Sequence, residues 1–263
     1  LKTAKKLIKA IKRMIAYVCQ KVFGRVRWLK FLLRVGNIDH NSFYDHLTKI
    51  IFDRVLTPNS FCIDIGCSKG DILSLMMEHS PNGQFLAFEP LPDHYEELAK
   101  KFQSQNVRLY NIALSDSTGT ASFNYVISNP AYSGLKKRPY DRDQEDDCQI
   151  EVKTDRLDNI LKSITFTSID IIKIDVEGGE YLVLQGALDC IKKYKPFIVF
   201  EHGPGSAKAY GTKSEAIYDL LCTQCGLKIS LLQDWLLEKP SLNQDMFCKH
   251  VYGKKNYYFI AHP

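Results

Sequence analysis

With 263 residues, 45% of them hydrophobic, the chain is long enough to bury one substantial core. It has no run of about 18 uncharged apolar residues, so no stretch is expected to span a bilayer. The net charge of +5 hides an asymmetry: residues 1–34 hold eleven Lys and Arg and no acid, so the remainder is acidic.

Lysines and arginines break every apolar run near the start, which argues against a secretory signal. Of the eight cysteines, Cys62, Cys67 and Cys190 fall in or beside expected core elements, which fits a reducing, cytoplasmic setting better than a disulfide framework. Cys222 and Cys225 have C-x-x-C spacing, but no second pair or spaced histidines complete a zinc site.

The basic segment comes first along the chain. Ala4, Leu7, Ile8, Ile11, Ile15, Val18 and Val22 recur at helical spacing, with Lys5, Lys9, Lys12, Arg13 and Lys21 mostly on the other side. Trp28, Phe31, Leu32 and Leu33 continue the apolar content. Such an arm, set at residues 1–38, can lie on an anionic membrane, pack on the domain or follow nucleic acid. The domain proper is set at 39–263, and its first helix is expected over residues 39–56.

Phe61-Cys62-Ile63-Asp64-Ile65-Gly66-Cys67-Ser68-Lys69-Gly70 then reads as strand, tight turn and helix start. Gly66 and Gly70 let the backbone turn sharply and a ligand come close. The spacing is Asp-x-Gly-x-x-x-Gly and lacks the middle glycine of the dinucleotide fingerprint, which disfavours a nicotinamide enzyme. An acid two residues before the first glycine suits a ligand bearing a sulfonium and an amino group. The second strand, residues 84–88, ends in Glu89-Pro90 and places a carboxylate where a ribose meets a doubly wound sheet.

A helix from about residue 93 to 102 leads to a third strand, residues 107–114. The turn at 115–119 sends the chain back as a hairpin over 120–127. Residues 128–149, polar with a run of acids, read as a loop or lid. Within it, Asn129-Pro130-Ala131-Tyr132 resembles the Asn-Pro-Pro-Tyr signature of amino-group methyltransferases, but it precedes the expected catalytic strand by some forty residues, which argues against that match.

That later strand, residues 169–174, ends in Asp175-Val176-Glu177-Gly178-Gly179-Glu180 ahead of a helix over 181–191. These acids sit where open α/β sheets bind ligands, and they can equally cap the helix. A fifth strand, residues 196–200, closes on Glu201-His202 at the same edge. A helix over 213–224 and strands over 228–232 and 256–261 complete a mixed sheet.

Together, Asp64 to Gly70, Phe88-Glu89-Pro90, Asn111-Ile112-Ala113-Leu114-Ser115-Asp116 with Gly119, and Lys173-Ile174-Asp175-Val176-Glu177-Gly178 with Glu180 resemble the FkbM-type S-adenosylmethionine-dependent methyltransferases over about residues 61–200. Cys67-Ser68 stand where many members carry Ala-Asn. The resemblance implies an α/β, doubly wound Rossmann-like methyltransferase fold with a mostly parallel seven-stranded sheet, to which the residues themselves add an inserted hairpin and the basic amphipathic arm. It also implies O-methyl transfer to a hydroxyl of a sugar, glycan, glycolipid or secondary metabolite.

On that reading, Asp64, Gly66 and Gly70 hold the methionine end, Glu89 the ribose, and Asn111 and Ala113 lie near the adenine, with Cys67, Ser68, Pro90 and Asp175 also binding the cofactor. Asp175 and His202 are the candidate bases, and Glu177 and Glu201 position the acceptor. S-adenosylhomocysteine is the product, and a divalent cation on these acids is a second way to make an alkoxide. The alternatives are RNA methylation through the basic arm and a catalytically silent cofactor-binding protein.

Overall fold

A computed structural model of the chain describes residues 24–103, 106–140 and 144–263. The expected amphipathic stretch from Ala4 to Val22 lies outside them. Among the described residues, two helices, Arg25–Arg34 and His40–Val55, precede the sheet. Asp39 caps the second, accepting from Ser42 N at 2.7 Å, and Phe43, Leu47, Ile51 and Phe52 recur on its buried side. Val26 and Leu29 of the first helix join the same apolar cluster. No helix among the described residues is long and apolar enough to cross a membrane.

The strands are, in chain order, β1 Phe61–Ile65, β2 Gln84–Phe88, β3 Val107–Tyr110, β4 Ala113–Leu114, β5 Gly119–Val126, β6 Asp147–Asp155, β7 Ile171–Ile174, β8 Phe197–Glu201, β9 Lys228–Leu231 and β10 Tyr258–His262. Seven form one sheet in the order β3-β2-β1-β7-β8-β10-β9. β10 runs antiparallel to both neighbours, and every other pairing is parallel. Both faces of the sheet are covered, so its central strands read as nearly continuous apolar runs.

Side chains alternate along a strand, and this places the chemistry. Cys62, Ile171, Val199 and Ile260 belong to the cluster under helix His40–Val55. Two residues from each, Asp64, Lys173, Glu201 and Tyr258 therefore project from that same face, near the edge where the parallel strands end. The register sets Asp64 opposite Lys173 and Glu201 opposite Tyr258.

The inserted antiparallel element is present, but its second strand differs from the expectation. β5 pairs with β6, from Gly119 opposite Thr154 to Val126 opposite Asp147, and β4 joins them in a separate three-stranded sheet. The expected third strand thus splits: the Asn111 side chain donates to Glu89 O at 2.9 Å and Pro90 O at 3.0 Å, pinning the chain between β3 and β4. Residues 147–149, expected in the loop, belong to β6. The helix expected over 181–191 is two, Glu180–Gly186 and Leu188–Tyr194. All seven cysteines among the described residues are free.

Candidate active site

At the end of β1 the chain turns so that Gly66 N and Cys67 N both donate to Phe88 O, at 3.0 and 3.2 Å. Gly66 has φ 76°, and a Cβ there would overlap the Asp175 carbonyl oxygen, so the missing side chain lets the ends of β1 and β7 close together. Two crevices meet at this point. Gly66, Ser68 and Asp175 line both.

The first crevice is largely apolar and holds roughly 810 Å³ including its mouth. Phe88, Pro90, Leu91, Ile112, Ala113 and Leu114 form one side, and Phe123, Pro130, Ala131 and Leu135 of the insert roof it. Glu89 is buried in its wall, one carboxylate oxygen accepting from Ser68 N at 2.8 Å and the other from Leu91 N at 3.0 Å. Each oxygen keeps a lone pair for a ligand. Burial raises the Glu89 pKa against the pull of those two N–H groups. His94 also lines this crevice, buried, and its Nδ1 has no partner among the described residues.

The second crevice carries both signs of charge: Asp45, Asp64, Asp71 and Asp175 against Lys69 and Lys173. Asp64 is fully buried with Oδ2 unpartnered, and burial pushes its carboxyl up to about 7 against the opposing pull of Lys173.

Asp175 sits where the crevices join. Lys173 Nζ donates to its Oδ2 at 2.9 Å, and the Tyr258 hydroxyl donates to the same oxygen. Burial works against its ionisation, but Lys173, then hydrogen bonds from Glu201 and Tyr258, hold the pKa below the ordinary carboxylate range. Glu201 is driven well above that range by burial and by the Asp175 charge, so it carries the proton of the pair. Glu177, at φ 55°, receives Arg138 from the insert, while burial and the Asp175 charge push it up to about 8. Glu180 Oε1 accepts from Val176 N at 3.2 Å and Gly178 N at 3.0 Å and so holds this loop in shape.

Most of the expected residues converge here, though in different capacities. Asp64, Gly66, Cys67, Ser68, Glu89, Pro90, Ala113, Asp175 and Glu177 line one crevice or the other. Gly70 lines neither; it caps helix Asp71–His79 in the left-handed conformation. Asn111 braces the Glu89 and Pro90 carbonyls, and Glu201 lines neither crevice but hydrogen-bonds Asp175.

His202 is withdrawn from the crevice. It is 1% exposed, its Nε2 lies 3.0 Å from Ser214 Oγ and its ring stacks on Phe247. Burial lowers its pKa to about 4. Asp175, Glu177 and Glu201 each offer an oxygen within 4.8 Å of the others, close enough to share a cation. Two of the three already face protein cations, Lys173 and Arg138.

The methyltransferase FkbM domain matches residues 64–229, well over half of the chain. The chain belongs to the FkbM methyltransferase family. Among curated relatives, the 2-O-methyltransferase NoeI of Sinorhizobium fredii is 28% identical over 62% of this chain and 72% of its own length. The methyltransferase sdnD of Sordaria araneosa is 28% identical over 50% of this chain and 61% of its own. The antimetabolite synthetase AmbE of Pseudomonas aeruginosa is 25% identical over 70% of this chain, which spans only 10% of AmbE. A solved FkbM methyltransferase from Methylobacillus flagellatus covers 95% of this chain and 70% of its own, with 13% identity and a TM-score of 0.48.

FkbM membership implies S-adenosylmethionine as methyl donor, and the paired crevices fit it. The apolar one, with Glu89 and the unpartnered His94 nitrogen, suits a nucleoside. The charged one suits an amino-acid zwitterion, with Asp64 and Asp45 for the ammonium and Lys69 for the carboxylate. Asp45, Lys69, His94 and Tyr258 escaped the sequence reading, and only the alternation of β10 hinted at Tyr258.

Proposed function

We propose that the chain transfers a methyl group to a hydroxyl oxygen of a sugar-like or other polyhydroxylated acceptor, with Asp175 as the residue that receives the hydroxyl proton. The observation that carries this reading is the position of Asp175: it lines both crevices at their junction, beside the glycine turn. When bound, the donor supplies an electrophilic methyl group; the remaining work falls to the chain.

Glu89 and His94 fix the nucleoside, and Asp64, Asp45 and Lys69 fix the amino-acid end, so that the acceptor can be held in line. Asp175, kept ionised by Lys173 and Tyr258, accepts a hydrogen bond from the acceptor hydroxyl and takes its proton as the oxygen is methylated. The protonated Glu201 beside it donates to Asp175 and so helps to keep that carboxylate ionised. The acid-rich edge suits vicinal hydroxyls, which carboxylates bind in pairs. NoeI, a 2-O-methyltransferase by name, lends support to oxygen as the target.

The test uses the full chain with methyl-labelled S-adenosylmethionine and cell extracts separated into glycans, lipids, RNA and small molecules. Label should enter a hydroxyl-bearing fraction as an ether, and Asp175→Asn should lower the rate by roughly a hundredfold or more. Label on RNA or on nitrogen, or an Asp175→Asn variant with unchanged turnover, would refute the assignment.

A further inference from the structure

Helix Arg25–Arg34 has two different faces. Inward, Val26 and Leu29 pack into the core against helix His40–Val55, and Arg25 pairs with Asp53 at 2.8 Å. Outward, Phe31 is 51% exposed and Val35, just past the helix end, is 48% exposed. Trp28 stacks on Phe31 with ring centroids 5.4 Å apart. Arg27 and Arg34 stand exposed on this side with no ion pair among the described residues.

We infer that this outward face docks on an anionic lipid surface. Exposed aromatic and aliphatic groups beside free arginines are what a headgroup region accommodates, the rings at the acyl boundary and the cations among phosphates. Charge complementarity names the partner: residues 1–34 hold eleven cations and no acid, while the rest of the chain is net negative and would be repelled by the same surface. A single-stranded nucleic acid would also attract the cations and could stack bases on Phe31, but it gives the aliphatic Val35 no apolar layer to enter. Because Val26 and Leu29 fix the helix on the core, docking would hold the domain in one orientation to the surface. This inference is independent of the acceptor assigned above.

The experiment is co-sedimentation of the full chain with vesicles of phosphatidylglycerol and phosphatidylcholine in equal parts, and with phosphatidylcholine alone. Binding is expected only to the first, and should weaken as salt rises from about 0.1 M to about 0.5 M. Phe31→Ser/Val35→Ser should bind roughly tenfold more weakly. Arg27→Glu/Arg34→Glu should lose at least about thirtyfold. Both variants change exposed side chains, so their thermal midpoints should match the parent. The inference falls if the anionic vesicles leave the chain in the supernatant, if Phe31→Ser/Val35→Ser binds like the parent, or if single-stranded RNA displaces the vesicles.

Discussion

Replacing Gly66 with alanine tests the junction on which both crevices depend. The left-handed φ of 76° costs a residue with a Cβ about 1–2 kcal/mol. The new methyl would also collide with the Asp175 carbonyl, which cannot yield freely because Asp175 N donates to Ile65 O at 3.0 Å across the β1–β7 pairing. Forcing these elements apart adds about 1–3 kcal/mol. Gly211 is the control: its φ is 68°, but an added Cβ meets nothing within 4 Å. Gly211→Ala should therefore cost about 1–2 kcal/mol and Gly66→Ala about 2–5 kcal/mol. Equilibrium urea unfolding of both variants measures the difference, and calorimetry with S-adenosylhomocysteine should show weaker binding for Gly66→Ala alone. If the two variants lose the same stability within about 0.5 kcal/mol, the close approach is not what requires glycine at position 66.

Glu89→Ala should weaken S-adenosylhomocysteine several-fold or more by calorimetry, since it removes the carboxylate in the nucleoside wall; unchanged affinity would discard that role. Asp64, whose folded pKa is raised to about 7, favours folding below its unfolded pKa of 3.8 and loses that advantage as pH rises through 7. Asp64→Asn should therefore gain stability on the parent between pH 4 and 7 in urea titrations, while donor binding falls; a constant difference across that range would contradict it. His202 has the opposite sign: its folded pKa is about 4 against an ordinary 6.5, so stability is lost as pH falls through that window, at up to about 1.4 kcal/mol per pH unit. His202→Asn should flatten that loss and leave turnover at neutral pH within about twofold, whereas a large loss of turnover would return the imidazole to the mechanism. Arg138→Ala removes the link from the insert to Glu177 and should speed S-adenosylhomocysteine release by roughly tenfold in stopped-flow displacement; an unchanged release rate would show that the roof does not retain the nucleoside.

The sheet was legible because its strands are short β-prone apolar runs punctuated by glycine, proline and acids. Asp64, Glu89 and Asp175 all follow from the rule that open sheets bind ligands beyond their carboxyl ends. β6 was hidden by composition: Cys148, Ile150, Val152 and Thr154 alternate correctly, but the acid run before them places 147–149 in the expected loop and leaves 150–155 unassigned. His202 shows the limit of edge reasoning. It directly follows a strand-end acid, yet its ring turns inward to Ser214 and Phe247, a choice made by packing from helix Gln244–Tyr252, which the sequence reading did not place. Lys173 stands in the family motif with no task legible from the sequence; its hydrogen bond to Asp175 and the approach of Tyr258 supply one.

The reversed direction of β10 has a consequence for what counts as the smallest working unit. A parallel strand at that place would bring its last residues to the catalytic edge; an antiparallel one brings its first, and so delivers the Tyr258 phenol to Asp175. The strand is also inserted between β8 and β9. A fragment trimmed to residues 64–229 would keep every family motif yet cut into β1 and β9, leave a gap between β8 and β9, and deprive Asp175 of the Tyr258 hydroxyl. Domain transplants built from this chain should therefore carry its tail as well.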